Sequence, residues 1–144
     1  MIRDAAIDDI KDLLRMGRAF FSATQYPQYM DFSEDSCTET FQHLISDDSG
    51  ILLVYDNKGL KGMVGALIYP FYMSGQITGQ ELFWWCEEKG AGKGLLAAVE
   101  GKAKSMGAET FGMISLHGLG HERMDSIYTG AGYTRSEHTY LKRL

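Results

Sequence analysis

Glu81-Leu-Phe-Trp-Trp-Cys-Glu-Glu-Lys-Gly-Ala-Gly-Lys-Gly-Leu-Leu96 is the stretch that decides the fold. Leu82, Phe83, Trp84 and Trp85 form an aromatic, β-prone run, which stops at a loop holding Gly90, Gly92 and Gly94; helical spacing resumes at Leu95 and Leu96. The order is strand, glycine loop, helix. Successive glycines let backbone N–H groups point into one concavity, and the unpaired N–H groups of a helix start add partial positive charge there. The stretch reads as an anion cradle, with phosphate as the expected occupant.

Working outward, Ile51–Tyr55 and Leu60–Tyr69 flank a D-N-K-G turn and read as an antiparallel hairpin, with bulges expected at Gly62 or Gly65 and Pro70 limiting the far end. Met1–Asp4 is expected as an edge strand. Ile7, Ile10, Leu13, Leu14, Gly17, Phe20 and Phe21 fall at helical spacing. The connection T-Q-Y-P-Q-Y-M-D-F breaks that period, and Ser36 with Glu39 matches a capping box opening a second helix. Beyond the glycine loop come a third helix ending near Gly107, a strand F-G-M-I-S-L, and a short helix around Arg123–Thr129. Y-T-R and H-T-Y-L-K-R-L are expected to close the chain as strands. The fold class is α+β with α/β-type layering: a mixed, mostly antiparallel central sheet, helices on both faces and one β-α-β crossover.

At 144 residues with 44% apolar content, the chain is the size of one domain and can bury a core. A formal charge of -5 without a basic stripe argues against a nucleic-acid surface. Cys37 and Cys86 lack metal or C-x-x-C spacing, no apolar run is long enough for a membrane span, and the N-terminus has no leader pattern. The expectation is a soluble cytoplasmic protein that requires no metal and contacts no membrane.

Two known phosphate loops fail on spacing. A Walker A loop needs Ser or Thr after its lysine, where Gly94 stands, and a dinucleotide fingerprint needs G-x-G-x-x-G with an acid closing the next strand. A third device fits better. K-G-A-G-K-G at Lys89–Gly94 is similar to the [QR]-x-x-G-x-[GA] motif of the GNAT superfamily of acyl-CoA-dependent N-acyltransferases, and Y-T-G-A-G-Y at Tyr128–Tyr133 resembles that family's Y-x-x-x-G-[FY]. The element order resembles the family along nearly the full length. Two departures stand out: Lys89 occupies the usual Gln or Arg place, and the loop is about two residues short. In an alternative register Glu87 takes that place.

The resemblance implies residues 1–144 as one acyltransferase domain moving acetyl from acetyl-CoA to a primary amine in a ternary complex, the amine carried by a small molecule or protein. It implies that the backbone of Trp84, Trp85 and Cys86 binds the pantetheine arm, and that Lys89, Gly90, Ala91, Gly92, Lys93 and Gly94 hold the pyrophosphate. It makes Tyr128 the proton donor to the thiolate and leaves Glu81 and His117 as alternative general bases. The aromatics Phe20, Phe21, Tyr26 and Tyr29, with Asp31, Glu34 and Asp35, would favour a cationic amine. Homodimers are common in the family, although no stretch here declares one. The rival reading is a silent CoA-binding or protein-binding module on the same fold. Cys86, flanked by bulky aromatics without a paired His, reads as a structural thiol.

Overall fold

The computed structural model describes residues 1–144. Five strands lie in chain order across one sheet: β1 (Ile2–Asp4), β2 (Gly50–Asp56), β3 (Leu60–Pro70), β4 (Ile77–Cys86) and β5 (Thr110–Gly112). The first four pair antiparallel and β5 joins β4 in parallel, reached through α3 (Ala91–Ser105). Helices α1 (Ile10–Ala23) and α2 (Glu34–Ser46) cover one face, α3 covers the other, and α4 (His121–Gly130) follows β5. The expected mixed sheet with helices on both faces is therefore present.

Strand alternation explains the two cores. Leu52 and Val54 of β2, with Leu60 and Met63 of β3, pack under Leu13 and Met16 of α1 and Phe41 and Leu44 of α2. Their neighbours Ile51, Leu53, Val64, Ala66 and Ile68 point the other way, onto Leu95, Val99 and Ala103 of α3. Both sides of β2 and β3 are apolar because both are covered. No helix is long and apolar enough to cross a membrane.

Alternation fails once in β4, at Leu82. Gly65 pairs with Phe83 and Ala66 with Glu81, so Leu82 is an extra residue without a partner. Leu82 and Phe83 both pack on the α1 and α2 side as a result, while Trp84 and Cys86 turn to the α3 side. Of the two glycines expected to mark bulges, Gly65 lies at this shift; a second shift, between Tyr55 and Asp56, lies beside Gly62. Gly65 also makes room: a Cβ there would lie 2.3 Å from the Phe83 ring, which crosses over it to meet Phe41 edge-on at 5.6 Å.

Several expected boundaries move. The α2 N-cap is Ser33, whose hydroxyl accepts the Ser36 N–H at 3.2 Å, so the helix starts before the Ser36–Glu39 box, with Glu34 and Asp35 in its positive first turn. Helix α3 starts at Ala91, within the glycine stretch and before Leu95. Of the expected F-G-M-I-S-L strand only Phe111 and Gly112 pair with β4, together with Thr110 before them. The closing segment forms no strand: Gly132 turns the chain at φ 93° after α4, and the tail is pinned by side chains instead, Arg135 to Asp125 at 2.6 Å and Arg143 to the Gln28 carbonyl at 3.1 Å.

Replacing Gly65 with Ala forces the Phe83 ring off its position and is expected to cost about 1–3 kcal/mol, as overpacking does. Chemical denaturation measures it, and pairing the change with Phe83→Leu should recover most of the loss.

Candidate active site

The site begins where the parallel pairing ends. Strands β4 and β5 pair at Thr78–Thr110, Gly79–Phe111 and Gln80–Gly112, and then separate. The next residue of β4 is Glu81. It is 4% exposed, the one buried charged side chain, and its Oε2 accepts the Ile114 N–H at 2.8 Å. A side chain thus replaces the backbone partner that Ile114 would have in a longer strand, and the N–H is satisfied. Burial pushes the Glu81 carboxyl up to about 7, with the Ile114 bond working against that rise.

Tyr128 of α4 reaches the same residue from the other side. Its hydroxyl donates to the Ile114 carbonyl at 2.8 Å, and burial, then the Glu81 charge, push it well above the usual phenol range. The Y-T-G-A-G-Y sequence is what holds it. Gly132 takes the left-handed conformation that ends α4, the Tyr133 N–H returns to the Tyr128 carbonyl at 3.0 Å, and the two rings lie 5.8 Å apart. The Tyr133 hydroxyl then donates to Glu100 of α3 at 2.9 Å, tying α4 to the helix that follows the glycines. Trp84 lies 6.0 Å from the Tyr128 ring.

Gly90 is the N-cap of α3, in the left-handed conformation at φ 92°, and no side chain caps the helix. Gly92 leaves space for the Trp84 ring, 3.2 Å from where a Cβ would be, and Gly94 does the same for Ile2 at 3.0 Å. Each glycine therefore also has a packing reason. Ala91 is buried and donates to Glu88 O at a long 3.3 Å, whereas Lys89 and Lys93 are exposed and form no ion pair. The two acids of the turn face away: Glu87 binds Arg15 at 2.8 Å and the Trp85 indole at 3.3 Å, and Glu88 accepts the Tyr55 hydroxyl at 3.0 Å. Burial opposes the shift, but the bonds from Arg15 and Trp85 hold the Glu87 carboxyl below its usual range.

The Trp84 indole N–H is buried without a hydrogen-bond partner; its neighbour Cys86, a weak acceptor, has its thiol pushed up to about 11 by burial. No three His, Cys, Asp or Glu side chains are grouped to hold a metal ion. The structure joins Glu81 and Tyr128 through Ile114 but leaves His117 exposed in the loop after β5, with no hydrogen bond. Sequence reasoning missed Ile114, because its part is played by backbone atoms and no residue type announces that. It also missed Glu100 as the anchor of Tyr133.

No protein-family model and no curated protein matches this sequence. Solved structures do match it in shape. A ribosomal-protein-alanine N-acetyltransferase from Brucella melitensis superposes with a TM-score of 0.73 at 17% identity, over 100% of this chain and 99% of that one. An aminoglycoside antibiotic 6'-N-acetyltransferase from Acinetobacter haemolyticus gives 0.72 at 18% identity, over 100% and 98%. A variant of a Bacillus halodurans protein gives 0.79 at 14% identity, over 100% and 99%. With full-length coverage in each case and the β4–β5 separation in place, the chain has the fold of the GNAT acetyltransferases.

Proposed function

We propose that residues 1–144 form one domain that transfers an acetyl group from acetyl-CoA to a primary amine by direct attack in a ternary complex. One observation carries this reading: a buried carboxyl near neutrality and a neutral phenol meet at Ile114, where β4 and β5 part. The shared fold of N-acetyltransferases supports it at the level of reaction class. A fold alone names no substrate, so the assignment rests on the site. The two unpaired cysteines are in keeping with a reducing cytoplasm.

The residues present fit the donor. The uncapped start of α3 offers the N–H groups of Gly92 and Lys93, with Lys89 and Lys93 adding charge, to a pyrophosphate. The backbone of Trp84, Trp85 and Cys86, beyond the last β4–β5 pair, offers hydrogen bonds to a pantetheine arm. Acetyl-CoA supplies an activated acetyl carbonyl and a thiolate leaving group. Glu81, ionised, takes a proton from the attacking amine as the N–C bond forms; Tyr128 gives its hydroxyl proton to sulfur as the C–S bond breaks. The acid role suits a phenol that burial keeps protonated. His117, exposed in the loop after β5, is the alternative base.

A silent CoA-binding module is the second reading, kept by Lys89 standing where the family motif has Gln or Arg. Acetyl-CoA is expected to raise the melting temperature, and thiol release with a panel of polyamines and peptides then decides between the two. Binding with no release on any amine favours the module, and no binding rejects both. In the same assay Tyr128→Phe should lower kcat by about 10²-fold or more while acetyl-CoA affinity stays within a few-fold; unchanged turnover removes Tyr128 as the acid.

Glu81 gives a pH signature in both rate and stability. As a base it must be ionised, so kcat/KM should rise with pH through about 7, and Glu81→Gln should abolish that limb. For stability the folded-state value lies above the ordinary 4.5. The native state then keeps a proton the unfolded chain has lost, so the contribution of Glu81 is greatest below pH 4.5 and declines until about 7. Glu81→Gln should match the wild type near pH 4 and exceed it above pH 7, by on the order of 3 kcal/mol. A gap that does not widen with pH would contradict the buried carboxyl.

A further inference from the structure

Ile114 has neither of its backbone polar groups in a strand ladder: its N–H goes to Glu81 and its carbonyl receives Tyr128, each at 2.8 Å. A phenol has one proton. If Tyr128 directs that proton to a thiolate, it no longer donates it to the Ile114 carbonyl. The bond is part-buried and Ile114 itself is 38% exposed, so a carbonyl that loses this donor is open to another. We propose that Ile114 is a positioning residue that works as a relay: sulfur engaging the Tyr128 hydroxyl releases the Ile114 carbonyl, which then accepts a hydrogen bond from the incoming amine. This rests on the reading of Tyr128 as the acid.

The surroundings favour such a relay over a passive contact. The stretch from 113 to 116 forms no strand, so Ile114 is held chiefly by these two side chains, with Ser115 tied to His121 at 2.7 Å. Further along the loop, Gly118 packs against Gln25 so closely that a Cβ there would lie 2.9 Å from the Gln25 amide nitrogen. Gln25 precedes Tyr26, whose ring stacks on Phe21 at 6.5 Å and whose own hydroxyl donates to no group in the protein. Burial, then the Glu81 charge, raise that hydroxyl too. The loop that carries Ile114 thus also touches, at Gly118, the connector between α1 and α2.

The test reads the carbonyl itself. The protein is labelled with ¹³C at isoleucine carbonyls, and the Ile114 resonance, assigned with an Ile114→Val variant, is followed as CoA or desulfo-CoA is added. CoA should move the resonance to the position it holds in ligand-free Tyr128→Phe; desulfo-CoA, which lacks the sulfur, should leave it in place. An unmoved resonance at saturating CoA, with binding confirmed by thermal shift, overturns the relay and leaves the acetyltransferase reading intact. Equal movement with desulfo-CoA also overturns it, since sulfur would then be irrelevant. No thermal shift with either ligand overturns both readings. Should Tyr128→Phe fail to fold, the contrast between the two ligands on the wild type still decides.

Discussion

One extra residue in β4 determines which side chains can work together. In a regular strand, residues three apart face opposite sides of the sheet. Leu82 breaks that rule, so that Glu81, opposite Ala66, and Trp84, opposite Val64, share the side that α3 covers. Without the bulge, a strand that placed Trp84 beside α3 would turn Glu81 into the core beneath α1 and α2. The bulge also bends the strand at the point where β5 leaves it. The close fit of Phe83 over Gly65 holds it in place, because sliding the register by one residue would drive that ring away from Phe41.

The chemistry of Glu81 depends on where the bulge puts it. A buried carboxyl without a cation is held near its neutral form, since burial penalises the charge and only the Ile114 N–H opposes that. The strand separation and the shifted carboxyl therefore have a common origin. β5 stops pairing after Gly112, the Ile114 N–H turns to the carboxyl, and the strands stay apart where Tyr128 bonds the Ile114 carbonyl. Pairing continued to Ile114 through the backbone would close that space and leave Glu81 without its partner.

Much of the architecture was legible in the sequence. The D-N-K-G hairpin and the β-run entering the glycine loop rest on local chemistry and the Tyr128–Tyr133 turn on the family resemblance, and the structure forms each of them. The errors came where tertiary contacts overruled local pattern. Ser36 and Glu39 match a capping box, yet Ser33 caps α2, and the added first turn carries Glu34, 3.0 Å from Arg18 of α1. H-T-Y-L-K-R-L alternates like a strand, but β5 is only three residues long and offers it no ladder, and Arg143 instead bonds the α1–α2 connector. At the site, Glu81, as an alternative to His117, and Tyr128, through the family motif, were both candidates in the sequence. Their meeting at Ile114 could not be read there, because it depends on a bulge and on the paths of two backbones.

The glycine turn faces an electrostatic difficulty of its own, since a chain of net charge -5 repels anions in general. The two acids nearest the start of α3 are both turned aside, Glu87 towards Arg15 and Trp85, Glu88 towards Tyr55 and Asn57. The Arg15–Glu87 pair is partly exposed and contributes little to stability, so its larger effect is to decide where negative charge is absent. What remains at the helix start is a first turn without an acid, with Lys89 and Lys93 free of carboxylates. This bears on the motif register. For Glu87 to take the place that Gln or Arg fills in the family motif, it would have to leave Arg15 and Trp85 and bring a negative charge to the helix start; Lys89 would take it without breaking any bond.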